Sequence, residues 1–189
     1  MIRPAELYDI PKLAEYYLTS SGGAIEWLYK DVLPNRPTNI IVEHLFTRFG
    51  SAMAFTNCWM AEDNGEVIGG MHVVLGSRLS ADPVDLMVPK ARGALAAPVG
   101  RLRTLEAMHI LSICVDSEYR GQGVGETMML EVEKLATCAG TNLTSLNVRD
   151  DNPRAIELYS RLGYAEKFSA QVSIPTVYIG RIVHMTKQI

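Results

Sequence analysis

Three glycines, Gly121, Gly123 and Gly125, lie directly between a buried-strand pattern and a helical pattern. The run Met108–Val115 is short and apolar, as in a buried strand, and 125–139 has apolar residues at helical spacing. Glycine lets the backbone approach an anion without an intervening Cβ. The first turn of a helix presents unpaired N–H groups and a positive dipole end. The stretch is therefore either a pyrophosphate cradle or a flexible strand-to-helix turn.

Two common nucleotide-binding patterns do not fit this stretch. A dinucleotide fingerprint, Gly-x-Gly-x-x-Gly, would need its third glycine at Glu126, and the Gly-Lys-Ser/Thr of a Walker loop is absent. What remains is Arg120-x-x-Gly123-x-Gly125. Taken alone, this pattern does not separate the cradle from the turn.

A second stretch, from Asn152 to Tyr164, predicts a capped helix. Asn152 is a favourable N-cap, and Pro153 falls at the first helical position, where its missing N–H costs nothing. Tyr159 lies on the apolar stripe of this helix, and Gly163 ends it. Asn152 and Tyr159 are seven residues apart, which predicts that they share one helix face.

The remaining patterns predict strands and helices in a consistent order. Asn64–Gly65 is a strong turn signal and predicts a hairpin between 58–61 and 67–75. Prolines and glycines predict an irregular excursion with a short helix or two over 76–105. The residues expected to break any long helix there are Pro83, Pro89, Gly93, Pro98 and Gly100. Further strands are predicted at 2–5, 143–148, 165–173 and 176–184, and further helices after Asp9 and around 25–33 and 41–49. Strand–helix–strand–helix after a hairpin indicates a mixed sheet with helices on its faces.

Composition excludes several classes of protein. The 189 residues fit one domain, 1–189, and carry a net charge of -3 without a basic stripe, which argues against a nucleic-acid partner. No apolar run is long enough to span a membrane, and the N-terminus lacks the apolar region of a signal peptide. Three cysteines and four histidines are widely scattered, so no metal site is expected. These features favour a reduced cytoplasmic protein.

Taken together, the two stretches resemble the GNAT superfamily of acyl-CoA-dependent N-acyltransferases. The first is similar to the family's acetyl-CoA pyrophosphate loop. The second is similar to its block Asn-x-x-Ala-x-x-Leu-Tyr-x-x-x-Gly-Phe/Tyr. The resemblance runs from 108 to 164, includes 1–20 and 58–75, and fades over 21–57 and 76–105. It implies an α/β fold with a mixed, mostly antiparallel central sheet flanked by helices and splayed at the cofactor-binding strands.

The resemblance also implies which residues bind acetyl-CoA. A bulge would splay the strand from its neighbour, so that its backbone at Ile113, Cys114 and Val115 pairs with the pantetheine arm. The pyrophosphate loop would comprise Arg120, Gly121, Gln122, Gly123, Val124 and Gly125. Asn152 would reach the pantetheine or phosphate region, and Tyr159 would lie near the sulfur and protonate the departing thiolate. The alternative is that Tyr159 packs in the core with its hydroxyl bonded to the backbone. A phenol, with a reference pKa near 10, is a suitable donor to a thiolate whose conjugate acid has a pKa of about 8.5.

The general base is left open between two residues. Counting back from Val115 with a period of two, Ile113, Leu111 and His109 share a strand face. His109 occupies the position where several family members carry a catalytic Glu, and an imidazole suits a base at neutral pH. Glu106 is the rival, through a bulged strand entrance or a relaying water. A hydrogen-bonded strand-end histidine is an equally good interpretation of His109.

The predicted function is transfer of an acetyl group from acetyl-CoA to a primary amine of a small molecule or peptide. The amine would attack directly in a ternary complex, because a Cys114 in an apolar strand is usually a buried hydrophobe rather than an acylated nucleophile. One alternative is a non-catalytic acyl-CoA-binding or sensing domain on the same fold. Another is a different nucleotide-binding enzyme that uses the glycine loop. The resemblance also implies a possible homodimer.

Overall fold

A seven-stranded sheet forms the centre of the chain in the computed structural model, which describes residues 1–82 and 85–189. The strands are β1 (Ile2–Pro4), β2 (Cys58–Asp63), β3 (Glu66–Leu75), β4 (Met108–Val115), β5 (Leu143–Arg149), β6 (Ala165–Ile174) and β7 (Tyr178–Gln188). Their order in space is β1-β2-β3-β4-β5-β7-β6. Only the central pair β4–β5 is parallel; the other neighbours are antiparallel. The predicted mixed, mostly antiparallel sheet is thereby confirmed.

Seven α-helices occur among the described residues. They are α1 (Ile10–Ser21), α2 (Ala24–Tyr29), α3 (Thr38–Phe46), α4 (Gly76–Ala81), α5 (Lys90–Arg101), α6 (Val124–Cys138) and α7 (Pro153–Arg161). Helices α6 and α7 pack on one face of the sheet, named here the α6 face. Helices α1, α3 and α5 pack on the other, named the histidine face because His72, His109 and His184 lie on it. No helix in the described part of the chain combines the length and apolar character needed to cross a membrane.

Local sequence signals set several of these boundaries. The Asn64–Gly65 turn has positive φ at both residues, 49° and 84°, and joins β2 to β3 as predicted. Asn152 caps α7 through a hydrogen bond of 3.2 Å from the backbone N–H of Ala155, with Pro153 at the first position. Asp9 precedes α1 as predicted, but its carboxylate accepts from Arg3 and from the Glu6 N–H instead of from the helix.

The region 76–105 contains a longer helix than the sequence predicts. Helix α5 has 12 residues and includes Gly93, Pro98 and Gly100, so the expectation that these residues break any long helix is wrong for all three. Pro98 lies near the end of α5 and removes a single backbone hydrogen bond. Packing of Val99 and Leu102 against β6 and β7 offsets that loss. Pro83 lies outside the described residues.

A β-bulge divides β4 into two halves. The register with β3 shifts between His72 and Val73, and Leu111 has no partner residue on β3. Strand β4 pairs with β5 only from Met108 to Ile110, although β5 continues to Arg149. Residues 111–115 of β4 and 147–149 of β5 are therefore not paired with each other, and this opening is named the split. The predicted splay of the sheet is confirmed.

Candidate active site

The split leaves the backbone of Ile113, Cys114 and Val115 paired with β3 on one side only. An unpaired strand edge offers N–H and C=O groups to an extended ligand. The Val115 carbonyl already accepts a hydrogen bond of 2.8 Å from Arg120 Nε. This placement keeps the three residues as predicted partners of the pantetheine arm.

The glycine loop connects the open end of β4 to α6. Gly121 and Gly123 have φ of 79° and 85°, and a Cβ at either position would meet no atom within 4 Å. Gly123 is the N-cap of α6, so the N–H groups of Val124, Gly125 and Glu126 begin the helix without intrahelical partners. The loop therefore presents open backbone amides at a positive helix terminus, which fits a pyrophosphate.

The two polar side chains of the loop point back to the protein backbone. Arg120 donates to Val115, and Gln122 Nε2 donates to the carbonyl of Glu118 at 2.7 Å. Arg120 thereby holds the loop against the end of β4, and Gln122 holds it against the turn at 117–119. The contacts of the Arg120 and Gln122 side chains to the cofactor stay predictions. The match to a pyrophosphate rests on the backbone amides of the loop.

Tyr159 lies on α7, within the apolar core of the α6 face, and is 9% exposed. Burial alone raises the pKa of Tyr159 to about 12, with no hydrogen bond or charged neighbour in the described residues contributing. The phenol is therefore fully protonated at neutral pH, as a proton donor must be. Asn152, by contrast, is exposed and its side-chain oxygen is engaged in the helix cap.

His109 is 2% exposed and lies on the histidine face, at the closed end of the split. Its Nδ1 is 2.9 Å from Ser145 Oγ, and its ring stacks on His184 with centroids 5.9 Å apart. Burial lowers the pKa of His109 to about 3, so the ring is neutral at physiological pH. The ring has an unprotonated nitrogen, but its low basicity makes direct capture of an amine proton unfavourable.

The predicted common face of His109, Leu111 and Ile113 is wrong. Met108 and Ile110 lie in the core of the α6 face together with Ile113 and Val115. The bulge at Leu111 inserts one extra residue and inverts the alternation, so His109 points to the opposite face from Ile113. Simple counting with a period of two cannot detect such an insertion.

Glu106 is exposed before the start of β4, and its backbone carbonyl accepts a bond of 2.6 Å from Thr141 Oγ1. The paired residues 108–110 separate it from the split. Cys114 is half-buried on the histidine face, and burial raises the pKa of its thiol. A protonated thiol is a weak nucleophile, in agreement with direct transfer rather than an acylated cysteine.

The sequence reasoning missed a directional hydrogen-bond chain on the histidine face. Asn147 Nδ2 donates to the Leu102 carbonyl at 3.0 Å, so Asn147 Oδ1 must accept from His184 Nδ1 at 2.7 Å. Burial lowers the pKa of His184 to about 4, so its neutral Nε2 accepts from the Thr104 hydroxyl at 3.0 Å. The chain fixes the segment after α5 against β5 and β7.

A sequence signal for this face exists in β5. Ser145, Asn147 and Arg149 alternate with the apolar Leu146 and Val148, which is the period of a strand with one polar face. All three polar side chains make hydrogen bonds on or near the split. Residues 1–82 and 85–189 contain no group of three or more His, Cys, Asp or Glu side chains arranged to hold a metal ion.

Comparison with known proteins shows the family to which the chain belongs. A family model described as the acetyltransferase (GNAT) family matches residues 24–164. The chain belongs to this family, because the match covers well over half of its length. A solved N-acetyltransferase structure from Staphylococcus aureus Mu50 has the same fold, with a TM-score of 0.72 at 18% identity over 98% of this chain and 99% of that one.

Curated relatives match over shorter segments. The chain is 33% identical over 69 residues to an uncharacterized N-acetyltransferase of Methanocaldococcus jannaschii, covering 36% of this chain and 30% of that protein. It is 36% identical over 64 residues to thialysine N-epsilon-acetyltransferase of Bos taurus, covering 34% of this chain and 38% of that protein. The chain thus spans about a third of the length of these relatives.

Proposed function

We propose that this chain is an N-acetyltransferase that transfers an acetyl group from acetyl-CoA to a primary amine by direct attack in a ternary complex. The observation that carries the proposal is the split in the sheet, which lies directly beside the open amides of the glycine loop. An extended thioester arm and a pyrophosphate need those two features side by side. Membership of the GNAT family supports the same conclusion.

Backbone groups would do most of the binding. The amides of Gly121 to Gly125 would hold the pyrophosphate, and the free edge of Ile113 to Val115 would align the pantetheine arm. The thioester supplies the acetyl group and a thiolate leaving group. Backbone N–H groups of β4 beyond the bulge would stabilise the negative charge that develops on the carbonyl oxygen.

Side chains on the two faces would handle the protons. Tyr159, protonated within the α6 face, would donate to the departing thiolate. The base that receives the amine proton stays open between two residues; His109, bonded to Ser145 at the closed end of the split, is one of them, although burial lowers its pKa and disfavours proton capture by its ring. Glu106 stays the alternative base, through a longer relay.

The core facing α6 is filled by apolar side chains such as Met128, Met129 and Val132. An amine therefore reaches the split from the histidine face. The name of the Bos taurus relative makes thialysine and lysine the first acceptors to test.

Release of free thiol from acetyl-CoA across a panel of amines tests the proposal. We expect thiol release that depends on both the protein and an amine, and a mass gain of one acetyl group on the acceptor. Thermal unfolding in the presence of acetyl-CoA, ATP or NAD gives an independent measurement. Stabilisation by ATP or NAD and none by acetyl-CoA would overturn the proposal, whereas acetyl-CoA binding without turnover on any amine would favour a non-catalytic sensor.

A further inference from the structure

Helix α1 crosses the open end of the split on the histidine face. On the β4 side, the Tyr16 hydroxyl donates to Asp116 Oδ2 at 3.0 Å, one residue beyond the end of β4. On the β5 side, Arg149 Nη1 donates to the carbonyl of Gly22 at 3.2 Å, and Arg149 is the last residue of β5. Because β4 and β5 form the two sides of the split, the C-terminal half of α1 bridges them.

Arg149 is fixed in this position by two other groups. Its Nε and Nη2 donate to the two carboxylate oxygens of Asp151, at 2.9 and 2.5 Å, which is a bidentate ion pair. Its guanidinium also lies 4.1 Å from the centre of the Tyr178 ring, a favourable cation–π distance. The fork geometry leaves Nη1 directed at α1.

A side chain at Gly22 would displace Arg149 from this contact. It ends α1 in the left-handed conformation with φ of 56°, and a Cβ there would lie 2.7 Å from Arg149 Nη1. The next residue, Gly23, also has positive φ and lies against Val177 of the β6–β7 turn, which is 3.5 Å from the position of a Cβ on Gly23. The end of α1 is therefore attached to both β5 and the β6–β7 turn.

A second contact closes the same face further along the chain. Arg92 of α5 donates to the carbonyls of Leu28, at 3.4 Å, and of Lys30 at the end of α2. Its guanidinium is 6.0 Å from the Trp27 ring. Helices α1 and α2 are thus joined to β5 and α5 on the face from which the amine would approach.

Building on the proposed function, we propose that the Arg149–Gly22 contact determines acceptor specificity by admitting a small-molecule amine and excluding the N-terminus of a polypeptide. A small amine could place its nitrogen in the split and leave the rest of its short, flexible chain beside α1. A polypeptide must bring its following residues with it, and they would collide with the bridge formed by α1. Arg149 is in this sense a specificity-determining residue that does not touch the reacting atoms.

Two substrate classes and one pair of variants test this inference. Lysine, thialysine and aliphatic polyamines are compared, by kcat/KM, with short peptides that have a free N-terminus and no lysine. The wild type should acetylate members of the first class and leave the peptides unmodified. Arg149→Ala should shift the ratio of small-amine to peptide kcat/KM roughly tenfold toward peptides, the scale of one charge-assisted hydrogen bond, with an unchanged KM for acetyl-CoA.

Arg78→Ala is a matched control, because Arg78 also donates to a glycine carbonyl, that of Gly50 at 3.2 Å, but away from the split. It should leave the ratio unchanged. Amide hydrogen exchange at Gly22 and Gly23 should accelerate in Arg149→Ala and not in Arg78→Ala, and this readout does not require turnover. The inference would be overturned if the wild type acetylated peptides as efficiently as small amines. It would also be overturned if Arg149→Ala left amide hydrogen exchange at Gly22 and Gly23 unchanged. Failure of every amine to release thiol would count against the proposed function, while exchange would still decide whether the bridge exists.

Discussion

The two faces of the sheet differ in the chemistry that they bury. The α6 face buries methionine, valine and leucine side chains beneath α6 and α7, with Tyr159 among them. The histidine face buries His72, which is bonded through Nε2 to the Ala52 carbonyl, and His109 and His184, which are bonded to hydroxyl and amide side chains. An apolar, close-packed face provides a rigid support, whereas a buried polar face must satisfy every hydrogen bond or lose stability.

This difference separates the two halves of the proposed reaction. On the cofactor side, proposed binding would depend on backbone amides and on a strand edge, which are compatible with many different side chains. On the acceptor side, the side chains that line the split would decide which amine binds. A family motif therefore specifies the cofactor half of the reaction and carries little information about the acceptor half.

The largest expected effect is acid unfolding that originates on the histidine face. Burial lowers the pKa values of His72, His109 and His184 from 6.5 to about 4, 3 and 4. Above pH 6.5 the rings are neutral in both states; below it the unfolded chain binds protons first. The free energy of unfolding should therefore fall between pH 6.5 and 4, by up to about 1.4 kcal/mol per pH unit for each histidine.

Urea unfolding at a series of pH values measures this slope. His184→Gln removes one of the three proton sites and should make the slope about one third shallower, although it also lowers stability at pH 7. His44→Gln, on an exposed position of α3, should leave the slope unchanged. A wild-type stability that is flat from pH 7 to 4.5 would contradict the burial of neutral histidines on this face.

The next effect tests the α6 face. Tyr159→Phe should reduce turnover about tenfold or more, because it would remove the proposed proton donor to the thiolate, while acetyl-CoA affinity stays near the wild-type value. Tyr164→Phe is the matched control, since Tyr164 is also buried and its ring lies 6.1 Å from that of Tyr159. Steady-state kinetics and calorimetric binding separate the two quantities. Equal turnover in Tyr159→Phe and the wild type would remove Tyr159 from the chemistry.

Sequence reasoning succeeded where a signal is local in the chain. The Asn64–Gly65 turn and the Asn152–Pro153 helix start follow from the conformational preferences of those residues alone. The position of the bulge at Leu111 does not, because it depends on the register between β3 and β4, and this error misplaced His109. The bridge from Gly22 to Arg149 joins residues that are 127 positions apart, so no local pattern indicates it.

A smaller effect distinguishes backbone binding from backbone flexibility in the glycine loop. Gly123→Ala should raise the dissociation constant of acetyl-CoA about tenfold, because a methyl group would occupy the open space in front of the amides. Gly65→Ala is a control with the same backbone strain, since Gly65 also has positive φ and no atom within 4 Å of its Cβ position. Both variants should lose about 1 kcal/mol of stability, and only Gly123→Ala should lose affinity. If Gly123→Ala and the wild type bound acetyl-CoA with equal affinity, the loop would be a flexible turn and not a pyrophosphate-binding loop.

The smallest effect has the opposite sign and lies in α5, on the histidine face. Gly93 has ordinary helical φ, and a Cβ there would make a normal contact of 3.5 Å with Val88 Cγ1. Gly93→Ala should therefore stabilise the protein by about 0.5–1 kcal/mol through the lower entropy of the unfolded chain, as measured by urea unfolding. Because α5 is joined to α2 through Arg92, the same variant would also show whether the acceptor side tolerates a stiffer α5. If Gly93→Ala destabilised the protein, α5 would not be helical at this residue. If it stabilised the protein and raised the KM for the amine, α5 would have to move to admit the acceptor.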